Sequence, residues 1–140
     1  MRLAYKKITK YKYKLSKDFT IATDVIGHVV DHEFYSLSIR GKLTISKGYL
    51  WDGVSGPTWD SENTMVGGCI HDALYQMIRM ELIPLEMKQV ADTLFRATLL
   101  KSGMWRIRAW YYYIAVHLFG RFSCRPGDIK VPKEKEIIYY

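Results

Sequence analysis

The sequence predicts an α+β fold in which N-terminal antiparallel β-strands precede an antiparallel three-helix core. Period-two alternation of apolar and polar residues runs through residues 1–50, and helical periodicity through residues 61–120. The two patterns never interleave, which argues against a parallel βαβ sheet. With 140 residues, 49% of them hydrophobic and 14% aromatic, the chain can form one packed domain. A domain of this size buries about two thirds of its unfolded surface without a metal or disulfide framework. The expected division is a β-rich part over 1–50, an ordered loop over 51–60, a helical core over 61–120 and a tail over 121–140.

In chain order, Tyr11–Leu15, Asp18–Ala22, Glu33–Ile39 and Lys42–Ile45 read as strands, with Phe19, Ile21, Phe34, Leu37, Ile39, Leu43 and Ile45 as their apolar members. Arg40-Gly41-Lys42 reads as a tight turn, because glycine supplies a positive φ, and Lys47-Gly48 ends the last of these strands. Trp51–Asp60 is dense in Gly, Pro and Asp and reads as the ordered loop; Asp60 or Ser61 is the expected helix N-cap. A first helix runs to about Met80. The pair Gly67-Gly68 within it costs about 1 kcal/mol per glycine relative to alanine, and suggests close approach by a neighbouring segment. Pro84 suits the first turn of a second helix that ends near Lys101, before Ser102-Gly103. A third helix, Trp105–Phe119, is apolar nearly all round, so it is expected to be buried or to serve as a partner surface. Residues 130–140 read as a last short strand.

The formal charge is +7, from 21 basic and 14 acidic residues. This balance favours acidic partners, whereas a solvated basic face with no specific partner is the plain alternative. Tyr5, Tyr11 and Tyr13 interleave with lysines as in single-strand nucleic-acid binders, but nucleic acid is not the expected partner. Cys69 and Cys124 cannot build a disulfide framework; one bridge between them stays open, and two reduced, largely buried thiols are the favoured reading. The N-terminal residues carry no apolar signal-peptide region, and no apolar run is long enough for a transmembrane segment. A protein made in the cytoplasm is expected.

The chemistry concentrates in His71-Asp72-Ala73-Leu74-Tyr75 and in Asp92, 21 residues beyond His71. If the first two helices form an antiparallel pair turning near Glu81-Leu82, His71 lies about 11 residues before the turn and Asp92 about 10 after it. At about 1.5 Å per residue the two stand at nearly the same height. Asp92 can then accept the proton-bearing nitrogen of His71, leaving the other nitrogen free to take a proton from water. Tyr75, at i+4 from His71, shares its face and can reach Asp92. Asp72 is rotated by about 100° and points back toward the loop holding Asp52. Two carboxylates with loop carbonyls suit a hard cation, Ca²⁺ best; one His and three carboxylates also leave Mn²⁺ or Zn²⁺ open. Each residue also has a plain structural role. The His-Asp pair can decorate a surface, Asp92 can be an exposed acid paired with Lys88 at i−4, and Asp52 before Gly53 can be ordinary turn chemistry.

Cys69-x-His71-Asp72-x-x-Tyr75 followed by Ala91-Asp92-x-x-Phe95 resembles the helical core of phospholipase A2, and the small bacterial form most of all. Ala109–Gly120 resembles the Trp-x-Tyr-Tyr-x-Ala-Val-x-x-Phe-Gly ending of that form. The whole chain also resembles a family of phage and prophage proteins of unknown function through three blocks: Asp52-Gly53-Val54-Ser55-Gly56-Pro57, His71-Asp72-Ala73-Leu74-Tyr75 and Ala91-Asp92-Thr93-Leu94-Phe95.

The phospholipase resemblance implies that His71 is the general base, oriented by Asp92 with Tyr75 in support. It implies that Asp72 holds Ca²⁺ with Asp52 or the carbonyls around Gly53, and that the substrate is a phospholipid ester on an anionic phospholipid surface. The phage resemblance implies synthesis in the cytoplasm of an infected bacterial host, with virion delivery or release at lysis as further routes. The competing expectation is a non-enzymatic phage accessory protein that reuses the same fold to bind a host protein or other host macromolecule.

Overall fold

The computed structural model describes residues 3–9, 12–51, 62–120 and 124–127. Among them lie seven strands followed by three helices: β1 (Tyr5–Thr9), β2 (Lys12–Leu15), β3 (Phe19–Ala22), β4 (Val30–Asp31), β5 (Tyr35–Leu37), β6 (Lys42–Ile45), β7 (Leu50–Trp51), α1 (Glu62–Arg79), α2 (Met87–Lys101) and α3 (Arg106–Phe119). This is the α+β order that the segregated periodicities predict.

All strand pairings are antiparallel. β1, β2 and β7 form one small sheet in that order, and β3, β6, β5 and β4 form the other. Strands β1, β4 and β7 lie outside the sequence expectation. In β1, Lys6 and Lys7 are both exposed and break the alternation, while β4 and β7 have two residues each, too few to show a period. Trp51 closes β7 rather than opening the loop. Tyr5, Tyr13 and Trp51 pack ring to ring, with centroids 5.6 to 5.9 Å apart, so these tyrosines are spent on the fold rather than offered as a stacking platform. The loop and N-cap expected over 52–61 and the strand expected over 130–140 lie outside the described residues.

α1 is the central element. Every residue from Thr64 to His71 is buried, because α1 lies between the strands and α2, and one apolar cluster runs from Leu15, Tyr35 and Ile45 through Cys69, Leu74 and Ile78 to Ala91. α1 ends in a left-handed cap at Glu81 (φ 59°), with the Leu82 amide donating to the Met77 carbonyl at 2.9 Å and the Glu81 amide to Ile78 at 3.0 Å. This pattern reverses the chain, at the position expected from the sequence. α2 begins later than Pro84 suggests. Met87 and Lys88 donate to Pro84 and Leu85 at 3.0 Å, so a tighter i→i−3 turn occupies the start before α-helical bonding takes over.

α1 and α2 are antiparallel, since Tyr75 lies near Lys88, His71 near Asp92 and Gly67 against Phe95 and Leu99. A Cβ on Gly67 would stand 3.0 Å from Phe95 Cδ1, so the close approach inferred from the glycine pair is real at Gly67. α3 returns antiparallel to α2, with Gln89 bonded to Tyr113 and Lys88 to the His117 carbonyl. Its inner residues Ala109, Tyr112 and Val116 join Phe95, Leu99 and Met104 in a second apolar cluster. Both cysteines are free and buried, the favoured of the two readings. None of the described helices is long and apolar enough to cross a membrane.

Candidate functional site

The antiparallel helix pair brings His71 and Asp92 together at the height that the residue count predicts. His71 Nε2 is 2.7 Å from Asp92 Oδ1. A carboxylate accepts and cannot donate, so Nε2 carries the proton and Nδ1 holds the lone pair. No hydrogen bond from a described residue occupies Nδ1. The imidazole sits between the rings of Tyr75 (centroids 3.9 Å apart) and Phe95 (5.1 Å), which fix its plane.

Asp92 is fully buried and receives four donors, two on each oxygen. Oδ1 accepts from His71 Nε2 and from the Tyr75 hydroxyl at 2.5 Å. Oδ2 accepts from Lys88 Nζ at 2.7 Å and from His117 Nδ1 at 3.3 Å. Lys88 also donates to the His117 carbonyl at 2.9 Å, and the Val116 carbonyl lies 3.4 Å from the Tyr75 hydroxyl. One carboxylate therefore ties all three helices. Burial would raise the Asp92 carboxyl, but hydrogen bonds from His71, Lys88 and Tyr75 outweigh it and hold the group below its ordinary value. Burial, then the adjacent Asp92 charge, pushes the Tyr75 phenol well up, so it stays a donor.

Sequence reasoning placed Asp92 either at this partner or on an exposed helix face with Lys88. The structure combines the two: Lys88 does pair at i−4, and the pair is buried, with Lys88 only 14% exposed. His117 was not among the site residues expected from the sequence, although it supplies the fourth donor to Asp92. Its signal was its position three residues before Gly120, in a helix with no other polar side chain between Trp110 and Phe119 except tyrosine. Gly120 is also part of the site. A Cβ there would lie 2.8 Å from Tyr75 Cε2 and 3.0 Å from Cζ, so only glycine lets α3 end against the Tyr75 ring.

Asp72 is felt on the strand side of α1 as well as, more weakly, at Tyr75 of the hub. After burial, its charge is the next influence raising the Cys69 thiol one turn back and the Tyr49 phenol just before β7. Tyr49 stacks on Trp51 (6.5 Å), the residue preceding Asp52, and donates to Gln76 at 3.3 Å. Asp52 and Gly53, the other expected metal ligands, lie outside the described residues. Among the described residues no three His, Cys, Asp or Glu side chains converge as a metal site. The nearby buried Trp51 Nε1 has no hydrogen-bond partner among the described residues, but an indole N–H is a donor and cannot ligate a cation. The described residues thus contribute one carboxylate to the roughly six to eight oxygens that Ca²⁺ takes.

Chemically, the cluster can hold one imidazole in a single tautomer, stabilise its protonated form through an ionised carboxylate, and keep that carboxylate ionised by an ammonium on its far oxygen. Comparison with protein-family models, curated proteins and solved structures gives no match.

Proposed function

We propose that this chain is a phage-type protein whose His71–Asp92 pair works as a phospholipase A2-like general base in the hydrolysis of phospholipid esters. The observation that supports it is the hydrogen bond from His71 Nε2 to a buried, ionised Asp92, which leaves Nδ1 as the only basic nitrogen of the ring. In this reading Nδ1 takes a proton from a water as the water oxygen attacks the ester carbonyl. The resulting imidazolium is stabilised by Asp92, and it returns the proton to the alkoxide as the ester C–O bond breaks. Tyr75 and Lys88 hold Asp92 in place and do not touch the substrate. Asp72, with Asp52 and the backbone at Gly53, would hold Ca²⁺, which when bound supplies Lewis-acid polarisation of the ester carbonyl. Synthesis in the cytoplasm of an infected host, with release at lysis or carriage in a virion, belongs to the same proposal.

The test is hydrolysis of anionic phospholipid vesicles with and without Ca²⁺ by the wild type and by His71→Ala. Loss of at least about 100-fold in His71→Ala is expected, in line with typical general-base contributions. Activity untouched by that substitution removes the proposed base.

The +7 charge and the exposed aromatic residues of α3 favour a second reading, a non-enzymatic accessory protein that captures a host macromolecule. Under it, His71→Ala or Asp72→Ala abolishes capture of that partner while the fold, read by circular dichroism, survives.

A further inference from the structure

The helix that completes the Asp92 hub has a second face that the hub does not use. Ile107, Trp110, Tyr111, Ile114 and Leu118 follow the spacing i, i+3, i+4, i+7 and i+11, and at about 100° per residue they fall within one sector of roughly 100°. That sector points away from the buried Ala109, Tyr112 and Val116. Ile107 is 82% exposed, Trp105 just before the helix is 84% exposed, and Trp110, Tyr111 and Leu118 are exposed as well. An apolar stripe of this length on one helix marks an interaction surface rather than the scattered exposure of ordinary surfaces.

The charge around the stripe selects its occupant. From Thr93 to Gly127 the sequence holds six cations and no Asp or Glu, so the stretch of chain that contains this helix carries positive charge only. Arg106 is exposed and Arg108 partly so, both in the first turn beside Ile107. A second copy of the chain would bring the same cations against one another. An anionic lipid headgroup layer complements them, and tryptophan and tyrosine rings favour the boundary between headgroups and acyl chains. We propose that the outward face of α3 is a docking surface for an anionic phospholipid bilayer, with the helix lying in the plane of the headgroups. The proposal rests on the phospholipid reading for its choice of lipid over a protein partner. Docking would set the helix that carries His117 directly at the lipid surface, one helix away from His71.

The experiment is flotation of the full chain with vesicles of phosphatidylglycerol or of phosphatidylcholine, at low and high salt, with tryptophan emission as a second readout. The wild type is expected to float with phosphatidylglycerol, to shift its emission to the blue, and to release as salt rises. Ile107→Gln combined with Trp110→Gln should weaken partition by about tenfold or more, since it removes two large apolar side chains from the interface. Arg106→Glu, at an exposed position with no core contact, should weaken it about fivefold or more by reversing one charge. Both variants should keep the wild-type circular dichroism spectrum and melting temperature. Equal flotation of the variants, or equal flotation on phosphatidylcholine, overturns the proposal. So does a dimer in sedimentation that the double substitution dissolves, because a second copy then owns the face. Flotation that survives His71→Ala while hydrolysis is absent even in the wild type leaves the docking surface standing and removes the catalytic reading. Hydrolysis that does not depend on the α3 substitutions removes the docking surface and leaves the His71 site.

Discussion

Asp92→Asn is the most incisive perturbation of the hub. The substitution keeps the shape and removes the charge. If the amide oxygen takes the Oδ1 position it still accepts from His71 and Tyr75, but the amide nitrogen then faces Lys88 Nζ and His117 Nδ1, donor against donor. Lys88, only 14% exposed, loses its counter-charge. Breaking a buried ion pair from one side costs about 3–5 kcal/mol, against a total stability of about 5–15 kcal/mol for a typical domain. Urea unfolding followed by circular dichroism should therefore show a large fall in midpoint at neutral pH. The pH dependence carries its own sign. The folded-state carboxyl lies below its ordinary value of 3.8, so its contribution is fully present above that value and is lost as pH falls through the lower folded value. The wild-type advantage over Asp92→Asn should be flat from neutrality down to about 4 and shrink below it. A cycle with Lys88→Met should give a coupling of about 1–3 kcal/mol. A cost under about 1 kcal/mol, or a difference that ignores pH below 3.8, would refute the account of a buried, ionised, lysine-clamped carboxylate.

Four further expectations follow from named contacts. Tyr75→Phe removes one donor to an ionised acceptor and should cost about 1.5–3 kcal/mol in urea unfolding. Gly120→Ala, which drives a Cβ into the Tyr75 ring and hydroxyl, should cost about 1–3 kcal/mol, and less in the Tyr75→Phe background; full additivity would mean that the two do not meet. Glu81 holds a left-handed backbone at φ 59°, so Glu81→Gly should raise stability by about 1 kcal/mol; an unchanged melting temperature would show that the cap is unstrained. Cys69, whose thiol burial and then Asp72 push up, should react with a thiol reagent at neutral pH only after unfolding, and rapid labelling of the native protein would contradict its buried setting.

Legibility in the sequence followed the physics of each element. β3 and β6 were readable because one face of each is buried and alternation is the direct consequence. β4 and β7 were not, because a two-residue strand is defined by its partner. The His71–Asp92 contact was readable from helix rise and the position of the turn, since both depend on local residues. The burial of Asp92 was not, because charge predicts exposure unless partners are known, and those partners come from three helices. Lys88 was visible only as an i−4 neighbour. α3 hid its two surfaces for the opposite reason: when a helix is apolar on both its core face and its outward face, the periodicity that would separate them cancels. The metal half of the sequence reading turns on Asp52 and Gly53, outside the described residues, so Asp72 stands as its one described member.

A buried carboxylate clamped by an ammonium is an expensive way to join three helices. Well-packed apolar side chains at the same positions would hold them as firmly or more so. What the polar cluster adds is direction. Both Asp92 oxygens are saturated, Lys88 is committed to Asp92 and to the His117 carbonyl, and the Tyr75 hydroxyl is held between Asp92 and Val116. The Asp92 contact also fixes which nitrogen of His71 carries the proton. Among the described residues no hydrogen bond occupies Nδ1 of His71, on a ring gripped by Tyr75 and Phe95, and the donation from His117 Nδ1 leaves Nε2 of that exposed ring as a second acceptor. A network built only for stability has no need to fix the tautomer of an imidazole, and that fixed direction, rather than the number of hydrogen bonds, is what motivates the general-base proposal.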